Sequence, residues 1–201
     1  MRTPRPIPDA LMGRAFTRAE AGEHGVTPRM LQHSRFTEVF PSVYRAAATT
    51  LDGLGLIDAG RRCLPDDARV SHLTRTRLVG LEYGPLLPLH FTVGRDLHLA
   101  IDDIFLHRTV TMPIHDEVGV SIEAAFVGAA CSLRLIDLIK VGDWLVHRGH
   151  LDLTRLAIFA AAEPWRPGAA QAMKVIPRRT FAIAQGVRDA GDPGLRRPAD
   201  A

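Results

Sequence analysis

The alternation of polar and apolar positions between Phe16 and Gly25 predicts a short first helix. Thr17 precedes the segment and Glu20 follows three positions later, which is the spacing of a capping box. The helix is expected to run to about Glu23 and to stop at the polar pair His24-Gly25. The sequence therefore predicts a capped helix that is followed at once by a turn.

A second helix is predicted immediately after this turn. Thr27 suits its N-cap position, and residues 29–35 (RMLQHSR) are expected to continue it. Met30 and Leu31 are expected to pack inward together with Val26, which is the single apolar residue in the turn. A helix, a glycine-containing turn and another helix within twenty residues is the layout of a helix-turn-helix.

The second helix has a polar face that suits contact with DNA. Arg29, Gln32 and His33 have the spacing i, i+3, i+4, which places them on one side of a helix. Arginine pairs with guanine and glutamine with adenine in the major groove, so these residues are candidate base contacts. The candidate phosphate contacts are Thr17, Arg18, Thr27 and Arg45.

A β-hairpin is predicted directly after the helices. Residues 36–40 (FTEVF) alternate in apolar character, Pro41-Ser42 predicts a turn, and Val43-Tyr44 predicts the returning strand. A hairpin placed after a recognition helix is a wing. The expected N-terminal domain, residues 1–48, is therefore a winged helix-turn-helix.

The rest of the chain predicts a mixed α/β domain over residues 49–188 and a disordered tail at 189–201, so that the fold class is α+β. Its expected helices cover residues 49–62, 68–81, 121–130, 132–147 and 154–162. Residues 88–114 are expected to be rich in β-strands, with breaks at 94–96 and 102–103.

The distribution of charge supports a nucleic-acid partner. Of 25 basic and 22 acidic residues in the chain, residues 1–46 hold seven and four, which is a net charge of +3. The remaining residues hold 18 of each and are neutral. Double-stranded DNA would therefore be attracted first to the N-terminal segment.

Several other classes of protein are not supported. Cys63 and Cys131 are far apart, without the CxxC spacing of a zinc finger. The chain has no apolar run of membrane-spanning length and no signal-peptide pattern near its first residue, so a cytoplasmic protein without membrane contact is expected. No GxSxG, GxGxxG or Walker motif is present, and neither an enzyme activity, a catalytic residue nor a cofactor is predicted.

Histidine-containing clusters leave a metal-dependent hydrolase open as an alternative. The candidate ligand groups are His147 with His150, His98 with Asp102 and Asp103, and His115 with Asp116 and Glu117. Each of these groups suits a solvated turn or strand end better, and His72 is expected to make a structural hydrogen bond. No metal site is therefore predicted.

Four segments, in order, resemble the AbiEi-type antitoxins of bacterial type IV toxin–antitoxin (abortive infection) systems. They are GRAFTRAEAGEHGVTPRMLQHSRFTEVFPSVYRAA, ARVSHLTRTRLVGL, HFTVGR and SLRLIDLIKVGDWLVHRGHLDLTRL, which together span residues 13 to about 160. The sequence departs from the family's pattern at two motifs. The family's Arg-Gly-hydrophobic-Tyr is Pro41-Ser42-Val43-Tyr44 here, and its "vTsPaRTLlDLA" motif is VSIEAAFVGAACS.

The resemblance implies a two-domain antitoxin. Its N-terminal winged helix would repress its own operon, and its C-terminal domain would counteract a nucleotidyltransferase toxin, often without a stable complex. Many relatives continue into a nuclease-like domain; this sequence ends where that domain would begin, so no nuclease activity is expected. Two alternatives remain open: a protein-interaction module, and the remnant of a nuclease fusion without specificity for DNA.

Overall fold

The computed structural model describes residues 6–176, which form an α+β structure of short helices and two small sheets. The α+β class predicted from the sequence is confirmed. The chain divides into two compact units, residues 1–125 and 126–201. The first five residues and the tail expected to be disordered, residues 189–201, lie outside the described part.

The first sheet is antiparallel and has three strands in the order β1-β3-β2. These are β1 (Ala15–Thr17), β2 (Phe36–Phe40) and β3 (Val43–Ala46). The predicted hairpin of β2 and β3 is confirmed, and β3 continues two residues further than expected. The strand β1 was not predicted, and it pairs with β3 through Phe16 opposite Tyr44.

The hairpin turns tightly at Pro41-Ser42. The pairing of β2 with β3 shifts by one residue between Glu38 and Phe40, which is a bulge beside the turn. Ser42 adopts a left-handed backbone conformation with φ 62°. Its backbone N–H donates to the Glu38 carboxylate at 2.8 Å, so a local side chain fixes the turn.

Helix α1 (Arg18–Glu23) follows β1, and a four-residue helix α2 (Pro28–Leu31) follows the turn. The predicted capping box at Thr17 and the predicted cap at Thr27 are both confirmed. The predicted length of α2 is wrong, because it ends at Leu31 and not near residue 35. The chain turns there so that the next apolar residue, Phe36, can enter the core and pair with β3.

The first sheet has a separate apolar cluster on each face. One face packs Phe16, Phe36 and Tyr44 against residues of α1 and α2. The other face packs Ala15 and Val43 into a larger core that includes residues of the second sheet. The predicted domain boundary between residues 48 and 49 falls inside this first compact unit, in which both segments share that larger core.

Helix α3 (Gly53–Arg62) follows, and a second sheet has the order β4-β5-β6. Strand β4 (Arg69–Val70) pairs antiparallel with β5 (Leu89–Val93), and β5 pairs in parallel with β6 (Ile104–Arg108). The two strands β5 and β6 fall in the segment predicted to be β-rich.

Helix α4 (His72–Arg77) begins between β4 and β5. The predicted helix over residues 68–81 is therefore too long at both ends. Its first residues form β4 because Val70 is completely buried and pairs with Phe91 of β5.

The helices that follow are α5 (Ile122–Ala129), α6 (Leu135–His147) and α7 (Leu153–Ala162). All three were predicted, but α6 begins three residues later than expected. In the second unit, Leu138, Leu145 and Leu156 are completely buried. Gly149, with φ 73°, follows the end of α6.

Candidate nucleic-acid interface

The short helix α2 and the residue that caps its C-terminal end, Gln32, expose their polar side chains, whereas the apolar residues of α2 pack inward. Arg29 and Gln32 are exposed, whereas Leu31 retains 5% of its accessible surface and Met30 packs against the same apolar cluster. The predicted inward packing of Val26 with these residues is confirmed. The apolar contacts therefore fix the side from which Arg29 and Gln32 project.

The start of α2 is well defined. Thr27 has an extended backbone conformation, and its hydroxyl oxygen accepts the backbone N–H of Met30 at 3.4 Å. Pro28 occupies the first position of the helix. A backbone N–H at this position has no hydrogen-bond partner within the helix, so proline costs nothing there. The exposed side chain of Arg29 therefore sits in the first turn, which is where a recognition helix approaches base edges.

His33 is exposed, but it lies beyond the end of α2 and not on the helix face expected for it. Its Nδ1 accepts the backbone N–H of Arg35 at 3.3 Å. Because a backbone amide can only donate, the neutral ring carries its proton on Nε2. His33 is then a hydrogen-bond donor in the loop after α2.

Thr17 and Arg18 lie together at the start of α1. The Thr17 hydroxyl oxygen accepts the backbone N–H of Glu20 at 3.1 Å and still has its own proton to donate. The exposed Arg18 guanidinium donates to the Tyr44 hydroxyl at 3.4 Å, and this hydrogen bond raises the pKa of Arg18. Arg18 is a fixed positive charge on the side of the sheet that faces the helices, because Tyr44 packs there.

Arg45 lies apart from these residues. Along β3 successive side chains alternate between the two faces of the sheet, so Arg45 shares a face with Val43 and not with Tyr44. Its Nη1 donates to the carbonyl oxygens of Ala46, Ala47 and Thr49. Arg45 therefore stabilises the segment that follows β3. It lies on the sheet face opposite to α1 and α2.

Two acidic side chains near the candidate contacts are engaged locally. Burial by itself raises the pKa of Glu20, but the backbone N–H of Thr17 and the Arg14 and Arg62 guanidinium groups outweigh it and lower the pKa to about 2. Glu38 is exposed and accepts the backbone N–H of Ser42. The hairpin tip therefore presents a carboxylate, which is unfavourable beside DNA phosphates.

None of the three histidine groups considered from the sequence forms a ligand cluster among residues 6–176. His115 bonds through Nδ1 to the Pro113 carbonyl at 2.7 Å, and Asp116 pairs with Arg75. The described part of the chain brings a different set together, namely His72, His90 and His107. Sequence reasoning treated His72 singly and missed the other two. The sequence does carry a signal for them: two neighbouring apolar segments, LHFTV and IFLHR, each contain one histidine.

The structure also gives the surroundings of Cys131 and His72. Cys131 is exposed just beyond the end of α5. His72 makes the structural hydrogen bond expected of it, because its Nδ1 lies 2.9 Å from the Ser71 hydroxyl oxygen.

No family model matches the chain, and no similar curated protein was found. Among the described residues, none of the helices has the length and apolar character that a bilayer crossing demands.

Proposed function

We propose that this protein is a non-enzymatic DNA-binding regulator in which residues 1–48 act as a winged helix-turn-helix. Helix α1, the turn at residues 24–27, helix α2 and the β2–β3 hairpin would be its parts. The observation that carries the proposal is that Arg29 and Gln32 are exposed on a capped turn of helix whose opposite side is anchored by Leu31. An anchored helix presents its polar side chains in a fixed direction, as base recognition requires.

The short length of α2 limits what it can recognise. Four residues span about 6 Å along a helix axis, which is the rise of about two base pairs. Arg29 is suited to the O6 and N7 atoms of guanine and Gln32 to the N6 and N7 atoms of adenine. His33, in the loop after α2, would add a donor beside them. We therefore expect recognition of a short G- and A-containing step by each protein molecule.

The phosphate contacts in this proposal are Thr17, Arg18 and Thr27. They occupy the N-terminal ends of the two helices, where the Thr17 and Thr27 hydroxyl groups and the Arg18 guanidinium can donate to phosphate oxygens. Arg45 was also a candidate from the sequence, but its bonds to three carbonyl oxygens support a structural role. The hairpin, with Glu38 near its tip, would support the helices and not contact phosphate itself.

We also propose an antitoxin role for the protein. The order of the four segments that resemble AbiEi-type antitoxins supports a regulator that represses its own operon and counteracts a nucleotidyltransferase toxin. This part rests on the resemblance alone. Co-expression with an adjoining nucleotidyltransferase reading frame tests it: restored growth supports the antitoxin role, and unrelieved toxicity contradicts it.

DNA binding can be tested without knowing the operator. Rounds of selection from a random duplex pool would enrich a sequence for the wild-type protein, and its affinity would then be measured by fluorescence anisotropy. The double variant R29A/Q32A should lose specific binding, because each bidentate base contact contributes about 1–3 kcal/mol. R155A, which removes an exposed arginine of α7, is the matched control and should bind as the wild type does.

A further inference from the structure

We infer that His72, His90 and His107 form a binding site for a divalent transition-metal ion, with Zn²⁺ the ion that best suits the ligands. The site is independent of the proposed DNA interface, because it is built from α4 and the second sheet. One atom from each imidazole can be chosen such that all three lie within 4.8 Å of one another.

The second sheet brings two of the histidines onto one face. In the parallel pair β5–β6, His90 is opposite Phe105 and Thr92 is opposite His107. Opposite residues share a face, and so do residues two apart on a strand, so His90 and His107 are diagonal neighbours. Their ring centroids are 5.2 Å apart, and the Nδ1 of His90 lies 2.9 Å from the Nε2 of His107.

The backbone holds His72 against this pair. The carbonyl of His90 accepts the backbone N–H of Ser71 at 3.0 Å, and the N–H of His90 donates to the Thr74 hydroxyl oxygen at 2.8 Å. The segment that carries His72 is thus bonded to both backbone groups of His90. The His72 ring stacks on the His107 ring with 3.6 Å between centroids.

Metal coordination would require the imidazoles to rotate, because the three ring planes lie within 24° of one another and imidazole nitrogens bind an ion in the plane of the ring. Tetrahedral Zn²⁺ with Zn–N bonds of 2.0–2.1 Å requires ligand nitrogens about 3.3 Å apart. The two nitrogens of His90 and His107 that face each other lie 2.9 Å apart and share a hydrogen bond, which the ion would replace. The Ser71 hydroxyl engages Nδ1 of His72, which leaves Nε2 of that ring for the ion. A hydrogen bond to the second nitrogen is the usual way in which a protein orients a histidine ligand.

The three rings are in the protonation state that binds metal. Burial, with smaller contributions from the other two histidines, lowers the pKa of His72 to about 2. Burial and His90 lower the pKa of His107 to about 4, and burial also lowers the pKa of His90. Neutral imidazole is the ligating form, so no proton has to leave at neutral pH.

The backbone of His72 supplies an independent observation. Its φ is 52°, in the left-handed region that side chains other than glycine seldom occupy. Residues held in such a conformation cluster at functional sites. This conformation places the imidazole over the sheet at the first residue of α4.

The ligand set selects the class of ion. Three nitrogens suit Zn²⁺, Co²⁺ or Ni²⁺, whereas Mg²⁺ and Ca²⁺ require oxygen ligands. Within residues 6–176, no carboxylate or thiolate extends this group of three. Three protein ligands leave a fourth position for water or an exogenous ligand. The half-exposed Phe105 ring, with its centroid 4.5 Å from that of His107, lies beside the cluster.

The test is a Co²⁺ titration of tag-free protein that has been dialysed against a chelator. We expect one equivalent of Co²⁺ to produce the visible absorption bands of a four-coordinate site, and one equivalent of Zn²⁺ to abolish them. H90N and H107N should each weaken binding by at least about tenfold. H98N, which removes an exposed histidine of the same unit, should bind as the wild type does.

Folding effects are separated from ligand loss by S71A, which keeps all three imidazoles. It should weaken Co²⁺ binding by roughly tenfold or more through loss of the orienting hydrogen bond. Zn²⁺ should also raise the Tm of the wild type and not that of H107N. Absence of Co²⁺ bands in the wild type, or bands of unchanged affinity in H90N and H107N, would overturn the inference.

Discussion

Arg62 of α3 donates to both carboxylate oxygens of Glu20 in α1, with N–O distances of 2.9 and 3.0 Å. The same carboxylate accepts the backbone N–H of Thr17 at 2.7 Å and thereby completes the capping box of α1. A third donor, Arg14, lies at 2.9 Å. One side chain therefore both starts the first helix of the proposed DNA interface and attaches it to α3.

Replacement of Glu20 should reduce stability in a way that depends on pH. The pKa of Glu20 is lowered from 4.5 to about 2 in the folded protein, so its contribution is complete above about pH 4.5 and disappears as the pH falls towards 2. E20Q should lower the free energy of unfolding by about 1–2 kcal/mol at pH 7. Urea unfolding at pH 7 and pH 3 should show the difference between E20Q and wild type shrinking at the lower pH.

The control for this prediction is E23Q, which removes an exposed carboxylate from the same helix. It should change stability by less than about 0.5 kcal/mol at either pH. A loss in E20Q of the same size at both values of pH would show that the carboxylate charge is not what joins α1 to α3.

The anchoring of α2 predicts a large cost for removing Leu31. This side chain is 5% exposed and belongs to the cluster that also contains Val26 and Phe36. L31A should reduce the free energy of unfolding by about 2–4 kcal/mol, as a cavity in a core usually does. L54A on α3, where the leucine is 53% exposed, should cost less than 1 kcal/mol in the same denaturation experiment.

Two glycines in helices should respond oppositely to alanine. A Cβ at Gly60 of α3 would lie 2.8 Å from the Leu89 side chain and 3.2 Å from the Phe91 ring, so either these buried side chains or α3 would have to shift. We expect G60A to lower the free energy of unfolding by roughly 1–3 kcal/mol. Gly22 of α1 has nothing within 4 Å of such a Cβ, and G22A should raise stability by about 0.5–1 kcal/mol. Thermal unfolding of the two variants measures both changes.

Arg18 and Arg45 should differ in their effect on DNA affinity. Arg18 is exposed beside α1, so R18A should weaken binding of every duplex and reduce the slope of log K against log salt by about one. Arg45 is bonded to backbone carbonyls on the other face of the sheet, so R45A should lower stability and leave the salt slope unchanged. Anisotropy titrations at several salt concentrations distinguish them. A reduced slope in R45A would contradict the structural role given to Arg45.

The parts of this fold that sequence predicts are those specified by neighbouring residues. Thr17 and Glu20 are three positions apart, so their capping box is visible in the sequence, and so is the Pro41-Ser42 turn of the hairpin. The end of α2 was not visible, because Gln32 and His33 are compatible with continued helix. What ends α2 is the tertiary requirement that Phe36 be buried in β2.

The features that sequence missed depend on distant pairing. Strand β1 exists because Ala15 pairs with Arg45, thirty positions away, and three residues alone have no pattern. The histidine cluster depends on the parallel register of β5 and β6, which brings His107 beside His90 across seventeen positions. The hydrophobic period of each segment predicted that it forms a strand, but it did not predict which other strand would pair with it.

DNA recognition by α2 is tested most directly by the affinity of R29A/Q32A for the selected duplex, measured beside R155A with the fold of each checked by circular dichroism. We expect the double variant to retain the wild-type spectrum and only weak, salt-sensitive binding, while R155A binds as tightly as the wild type. Unchanged affinity in R29A/Q32A, or an equal loss in R155A, would contradict the claim that α2 reads DNA.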